Sequence, residues 1–285
     1  MTPRRVAQFV QAQAVSEGAG VTVHRTIGTP ARRHLDPFLM LDHFSSDDPD
    51  DYSAGFPAHP HRGFVTLTYM LDGHLLHQDS MGNRGDLRAG GAQWMKAASG
   101  VIHSEMPQQS NGLMRGFQLW VNLPASEKMS DPAYQEFSPE AIPELSGEGV
   151  RVHVLAGEYG GRRGPIDDPH TRVLYLDVGL DAGHRFVQPL DPAATAFVFV
   201  FEGSAMLDGN VLPPHRLAVL GPGDGVELAA GGAGARFILV AGQPLKEPIV
   251  QYGPFVLNTR EEIEQAMQDY RDGRLVQKKA AMRGR

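Results

Sequence analysis

Short apolar runs, cut by Gly, Pro, Asp and Asn, recur along most of the chain. Phe64-Val65-Thr66-Leu67-Thr68-Tyr69-Met70-Leu71 is a β-branched and aromatic run of strand length, ended by Asp72-Gly73. The turn formers of Asp79-Ser80-Met81-Gly82-Asn83-Arg84-Gly85 predict a hairpin loop. Gln93-Trp94-Met95 and Phe117–Leu123 read as further strands. From Pro124 to Gly149 the texture changes: Pro124, Pro132, Pro139 and Pro143 interrupt a polar stretch without period, as in an inter-domain connection. Strands resume at Val150–Leu155, Arg172–Leu180, Ala196–Phe201, Arg216–Leu220 and Ala235–Ala241. Two halves of similar rhythm predict an all-β chain with a duplicated barrel or sandwich, although no residue-by-residue repeat accompanies the rhythm.

One helix interrupts this pattern. Thr259 is placed as an N-cap with Glu262 three residues on, a capping box. Ile263, Ala266, Met267 and Tyr270 follow at helical spacing, and Gly273 is a natural stop. Such a stripe is expected to pack on a barrel.

Composition narrows the class. A chain of 285 residues is long for one core and comfortable for two. With 41% hydrophobic and 21% charged residues it has globular and not disordered composition. Cysteine is absent, which excludes disulfides and thiolate metal sites and gives no sign of an oxidising compartment. Met1–Gln8 carries two arginines but no apolar stretch behind them, and no window approaches the ~18 apolar residues of a membrane helix. A cytoplasmic chain with no membrane attachment is therefore expected. The formal charge of −7 argues against direct nucleic-acid binding, and Lys278, Lys279, Arg283 and Arg285 read as a frayed basic tail.

The chemistry concentrates in two short segments. In Phe56-Pro57-Ala58-His59-Pro60-His61-Arg62-Gly63-Phe64, His59 and His61 stand at i and i+2, so a strand projects both imidazoles to one face. Gly100-Val101-Ile102-His103-Ser104-Glu105-Met106-Pro107 repeats the spacing with an imidazole and a carboxylate. Either pair alone is weak, since His-x-His arises by chance. Together, on apolar strands where unpaired polar groups are costly, they predict convergence from two strands facing each other across a small barrel. Three imidazoles and a carboxylate suit one divalent ion such as Fe, Mn, Co, Ni, Cu or Zn. Arg62 would face away from such an ion and fix a loop or carboxylate. His77 is expected near the mouth of the site with no ligand partner beside it, which is ordinarily a structural histidine. Phe56, Phe64, Trp94 and Met95 are candidates to wall an apolar pocket, or plain core. In the second half His184 and His215 stand alone and read as ordinary histidines.

The stretch from Pro57 to Pro107 resembles the signature of the pirins, of the cupin superfamily: His-Pro-His-Arg-Gly-Phe, a Tyr-containing strand, Gln-Trp-Met, Ser-Gly and His-Ser-Glu-Met-Pro. The similarity extends to Leu35–Asp42 and to Glu247–Thr259, and so touches nearly the whole chain. The resemblance implies a bicupin of two jelly-roll-type β-barrel domains with a short C-terminal helix. It implies residues 1–135 as the metal-binding domain and 136–285 as a cupin-like domain without a metal. The ligands map onto His59, His61, His103 and Glu105, and the family's usual metal is iron, here Fe(II). Val65 stands where many other cupins place a carboxylate and pirins often carry Glu, but that is not the family's ligand position.

What the resemblance implies for function is quercetin 2,3-dioxygenase activity, an oxidoreductase that opens a flavonol ring with O2 and releases carbon monoxide. Glu105 would then be the proton acceptor. The alternative is a redox-sensing regulatory protein that docks on a transcription factor or metabolic enzyme, and a third reading is a cupin acting on another phenolic metabolite.

Overall fold

The computed structural model describes residues 1–277, so the basic cluster at Lys278, Lys279, Arg283 and Arg285 lies outside the described residues. The described residues are mostly β-strand with one α-helix, near the C-terminus, and the chain forms two cupin-type domains. A single division at residues 135/136 is the sequence expectation, but the compact units interleave. One comprises Ala14–Arg25, Phe38–Pro139 and the chain from Leu245, and the other comprises Met1–Gln13, Thr26–Pro37 and Glu140–Pro244.

In the first of these units, seven strands run in the order Ala133–Phe137, Ala92–Lys96, Phe64–Asp72, Met114–Asn122, Phe38–Ser46, Val21–Arg25 and Gln13–Glu17. A second sheet holds Phe56–His61, Val101–Pro107, His74–Asp79 and Arg84–Arg88. Val23, Phe44, Met70 and Met114 of the larger sheet pack with Leu75 and Leu87 of the smaller, which fills one end of the sandwich with apolar side chains. The stretch Pro124–Gly149 is not a bare connection: Ala133–Phe137 pairs with Ala92–Lys96, and Glu144–Gly147 pairs with Val150–Ala156 in the other unit's sheet. Pro132 and Pro139 flank the first strand and Pro143 precedes the second, so the prolines punctuate strands that they do not interrupt.

The same unit is finished by its last residues. Val250–Tyr252 and Phe255–Leu257 form a strand pair, followed by the helix Arg260–Arg271. Thr259 accepts from the Glu262 amide and the Glu262 carboxylate accepts from the Thr259 amide, the expected capping box. Ile263 and Ala266 bury against Phe255, Leu257 and Leu275.

The other unit is one nine-stranded antiparallel sheet folded upon itself. Thr195–Leu207 and Gly225–Gly242 are long enough to serve both walls, and register shifts at Val200/Glu202 and Gly203/Ala205 bend the former. Its interior is apolar, with Val152, Val154, Leu176, Val178, Phe186, Val198, Phe237 and Leu239 in one cluster.

Candidate metal centre

His59 and His61 lie on Phe56–His61 and His103 and Glu105 on Val101–Pro107, but these strands do not face each other across a barrel. They are hydrogen-bonded neighbours, with His103 opposite His59 and Val101 opposite His61. A register shift between His103 and Glu105 sets Glu105 opposite Phe56. Adjacent antiparallel strands bring opposite side chains on one face to within about 5 Å, so convergence needs no barrel closure. Ring centroids are 4.7 Å apart for His59 and His61, 4.4 Å for His59 and His103, and 4.8 Å for His61 and His103. The structure offers two groups of potential ligand atoms, each within 4.8 Å of one another: His59, His61 and His103, and His77, His103 and Glu105. His103 belongs to both.

Two of the imidazoles are held neutral. Burial pushes His61 well below the ordinary imidazole value, and the neighbouring His59 lowers it further. Burial does the same to His103, aided by His61, His59 and His77. Both rings are therefore neutral, as metal binding requires. His61 Nδ1 and His103 Nε2 are buried with no hydrogen-bond partner. Leaving such atoms unpaired costs about 1–3 kcal/mol each, a cost that a bound cation would remove. His59 Nδ1 lies 2.8 Å from the Pro57 carbonyl oxygen, which in its donor form leaves Nε2 available. Glu105 reaches across to the larger sheet, where Thr68 Oγ1 at 3.3 Å and Gln93 Nε2 donate to Oε1, and Gln118 Nε2 donates to Oε2 at 3.1 Å. A set of this kind fits a divalent ion, and the residues that would hold it are buried apart from the half-buried His59.

Sequence reasoning missed the support around these groups. His77 is fully buried and not at a mouth, stacked on Tyr134 with centroids 4.3 Å apart. Its partner is two residues on: His77 Nε2 lies 3.2 Å from Asp79 Oδ2. His77-Gln78-Asp79 is a third i, i+2 polar pair, hidden because Asp79 also reads as a turn former. Burial raises the Asp79 pKa, but hydrogen bonds from His77 and Asn83 outweigh it and hold the carboxyl below its usual range. Burial and the hydrogen bond to Glu136 raise the Tyr134 hydroxyl, which stays a donor. Of the wall candidates, Phe64 meets His61 at 5.1 Å, beside Trp120 at 5.3 Å. Met95 packs with Ala97 and Val101, and Phe56 packs against the Val21 and Met114 cluster. Trp94 alternates with Gln93 on its strand and so faces away from Glu105.

The strand end after His61 is pinned by buried cations. Arg62 turns away from the imidazoles, as expected, and donates to Asp269 Oδ2 at 2.8 Å and to the Ser99 and Leu275 carbonyls at 2.6 and 3.3 Å. Lys128 donates to Gly63 O, Asn122 Oδ1 and Val256 O at 2.7, 2.6 and 3.0 Å. Burial lowers this amine to about 8, against the raising influence of Glu247 and Glu262, so it remains charged at neutral pH. Gly63 has φ +93°, and a Cβ there would collide with the Val256 carbonyl oxygen.

In the other unit, His184 is exposed at a turn and His215 adopts φ +61°. His153 lies between Glu144 at 3.2 Å and Asp177 at 3.6 Å. Among the described residues, no three potential ligand atoms converge there as they do at His103. No helix among the described residues is long and apolar enough to cross a membrane.

The chain matches two family models, one described as Pirin over residues 20–121 and one as the Pirin C-terminal cupin domain over residues 175–276. It is 49% identical over 278 residues to a Pseudomonas aeruginosa protein that carries the provisional name quercetin 2,3-dioxygenase, covering 95% of this chain and 97% of that one. It is 42% identical over 277 residues to human pirin, covering 95% and 93%. Among solved structures, the crystal structure of quercetin 2,3-dioxygenase from Acinetobacter baumannii superposes with a TM-score of 0.89 at 33% identity, covering 96% of this chain and 98% of that one.

Proposed function

The chain belongs to the pirin family, and on that premise we propose that it is a metal-dependent dioxygenase resembling quercetin 2,3-dioxygenase. A flavonol and O2 would give the ring-opened ester and carbon monoxide. The observation that carries this reading is the convergence of three imidazoles with unpaired, buried His61 Nδ1 and His103 Nε2 atoms beside the Glu105 carboxylate. His59, His61, His103 and Glu105 would hold the ion, Fe(II) being the proposed metal. A divalent ion held there supplies a Lewis-acid and redox centre that lowers the pKa of a flavonol hydroxyl.

The rest falls to the chain. Half-buried His59 marks the side from which a planar phenolic substrate approaches. Phe64 and Trp120, 4.3 Å apart, shield the far side of His61 from water. Glu105 accepts the hydroxyl proton at a carboxylate oxygen. Gln93 and Gln118 hold that carboxylate from the facing sheet, so it meets the substrate in one orientation.

The burial of His61, His103 and Glu105 also supports a second reading, in which a one-electron change at a shielded ion biases the surrounding strands and a protein partner reads the result. Oxygen uptake decides between them. Protein purified without added metal, analysed for metal and then assayed with a flavonol panel, should consume O2 and release carbon monoxide. A metal-replete protein inert to every flavonol removes the dioxygenase reading.

A further inference from the structure

We infer that His77 and Asp79 form a hydrogen-bond relay that fixes the His103 tautomer, so that His103 presents Nε2 as a lone pair to the ion. The inference rests on the proposed metal reading of the site and assigns His77, a member of one of the two ligand groups, as a positioning residue instead of a ligand. Three buried groups in line carry it. Asp79 Oδ1 accepts from the Met81 and Asn83 amides at 2.9 and 3.0 Å, and Oδ2 accepts from Asn83 Nδ2 at 2.9 Å. A carboxylate so placed has no hydrogen to give, so His77 Nε2, 3.2 Å from Oδ2, is the donor. In a neutral ring, Nδ1 of His77 is then a lone pair, and it faces Nδ1 of His103 at 3.4 Å. Two lone pairs do not face each other across a hydrogen bond, so His103 Nδ1 carries the hydrogen. Its Nε2, buried and without a partner, is left as the acceptor.

The sheet builds the relay. His77 and Asp79 share a face of His74–Asp79, and pairing with Val101–Pro107 sets Asp79 opposite His103 and His77 opposite Glu105. Tyr134, stacked at 15° to the His77 ring, holds its plane. Outer hydrogen bonds of this kind orient metal-binding imidazoles and raise their basicity.

Two measurements test it. In the metal-free wild-type protein labelled with 15N-histidine, two-bond 1H–15N spectra at neutral pH should show His103 protonated at Nδ1 and His77 at Nε2. A His103 protonated at Nε2, or a doubly protonated His77, overturns the relay whether or not any metal binds. The second compares His77→Asn, whose side-chain oxygen can replace the Nδ1 acceptor but which loses the ring, with His77→Phe, which keeps the ring on Tyr134 but cannot accept. By chelator competition, His77→Phe should weaken Zn2+ binding ~10–100-fold, the usual effect of losing such a partner. His77→Asn should stay close to wild type. Equal affinities in the two variants, or the reverse order, would show that packing and not the acceptor matters. Failure of the wild type to bind Zn2+ sinks the metal reading of the site, and the tautomer spectra still decide the relay.

Discussion

The two β units use similar strands for opposite interiors. One fills its centre with Val152, Val154, Leu176, Val178, Phe237 and Leu239, while the other places His61, Thr68, His77, Asp79, Gln93, His103 and Glu105 between its sheets. Burying such polar groups is costly unless each finds a partner. Most of them do: Thr68, Gln93 and Gln118 serve Glu105, and Asp79 serves His77. The nitrogens left over, His61 Nδ1 and His103 Nε2, are among those that an ion would complete. The contrast sets close apolar packing in one unit against a polar interior in the other, where the proposed ligands lie.

That contrast can be broken most directly through metal content. Elemental analysis should give about one ion per chain, because both ligand groups draw on His103 and an ion needs three or four convergent ligands, and His103→Ala should bring it near zero. About two ions per chain, with one surviving in His103→Ala, would place a second site where the apolar unit has none. Stability gives the next largest effect. Phe237→Ala should cost about 3–5 kcal/mol in urea unfolding, since it empties a packed core. His103→Leu in metal-free protein should cost clearly less, because the unpaired Nε2 that it removes offsets the His77 Nδ1 acceptor that it leaves without a donor. An equal loss for both would mean that the polar interior is structural.

Acidification sharpens the comparison further. His61 and His103 have folded pKa values depressed below the unfolded imidazole value, so below about pH 6.5 the unfolded chain binds protons that the native one refuses. Stability of the metal-free protein should therefore fall as pH drops from about 6.5 toward the folded values, by up to about 1.4 kcal/mol per pH unit for each ring. His61→Leu and His103→Leu together should flatten that slope, and an unchanged slope would assign it to other groups. The smallest effect should come from His184→Ala in the apolar unit. It should leave metal content unchanged and stability within about 0.5 kcal/mol, as for other exposed positions. A loss of metal there would contradict the placement of the site.

Period-two spacing made the candidate ligands legible. His59 with His61 and His103 with Glu105 stand out because a strand projects alternate residues to one face, and Thr259 with Glu262 marks the helix because capping is local chemistry. Asp79 escaped because a turn former and a buried acceptor look the same in sequence. Gln93, Thr68 and Gln118 escaped because their role depends on which strand lies opposite, and that is set by pairing across many residues. Ala133–Phe137 was hidden by prolines at its ends, and the interleaving of the units leaves no local trace at all. Neighbouring strands replaced the expected facing ones for the same reason: spacing fixes a face but not a partner.

The strand end that Arg62 and Lys128 pin has a consequence for the order of events during synthesis. Arg62 waits for Asp269 and Leu275, more than two hundred positions later, and Lys128 waits for Val256. The apolar unit has all its strands once Gly242 has left the ribosome. The unit with the polar interior therefore begins to emerge early and closes last, keeping two cations without their final partners while its neighbour can already fold. A chain stalled with Gly242 just outside the ribosome should show a finished apolar barrel and an open histidine-bearing one, a difference that limited proteolysis of the stalled chain would display as selective cutting near Gly63.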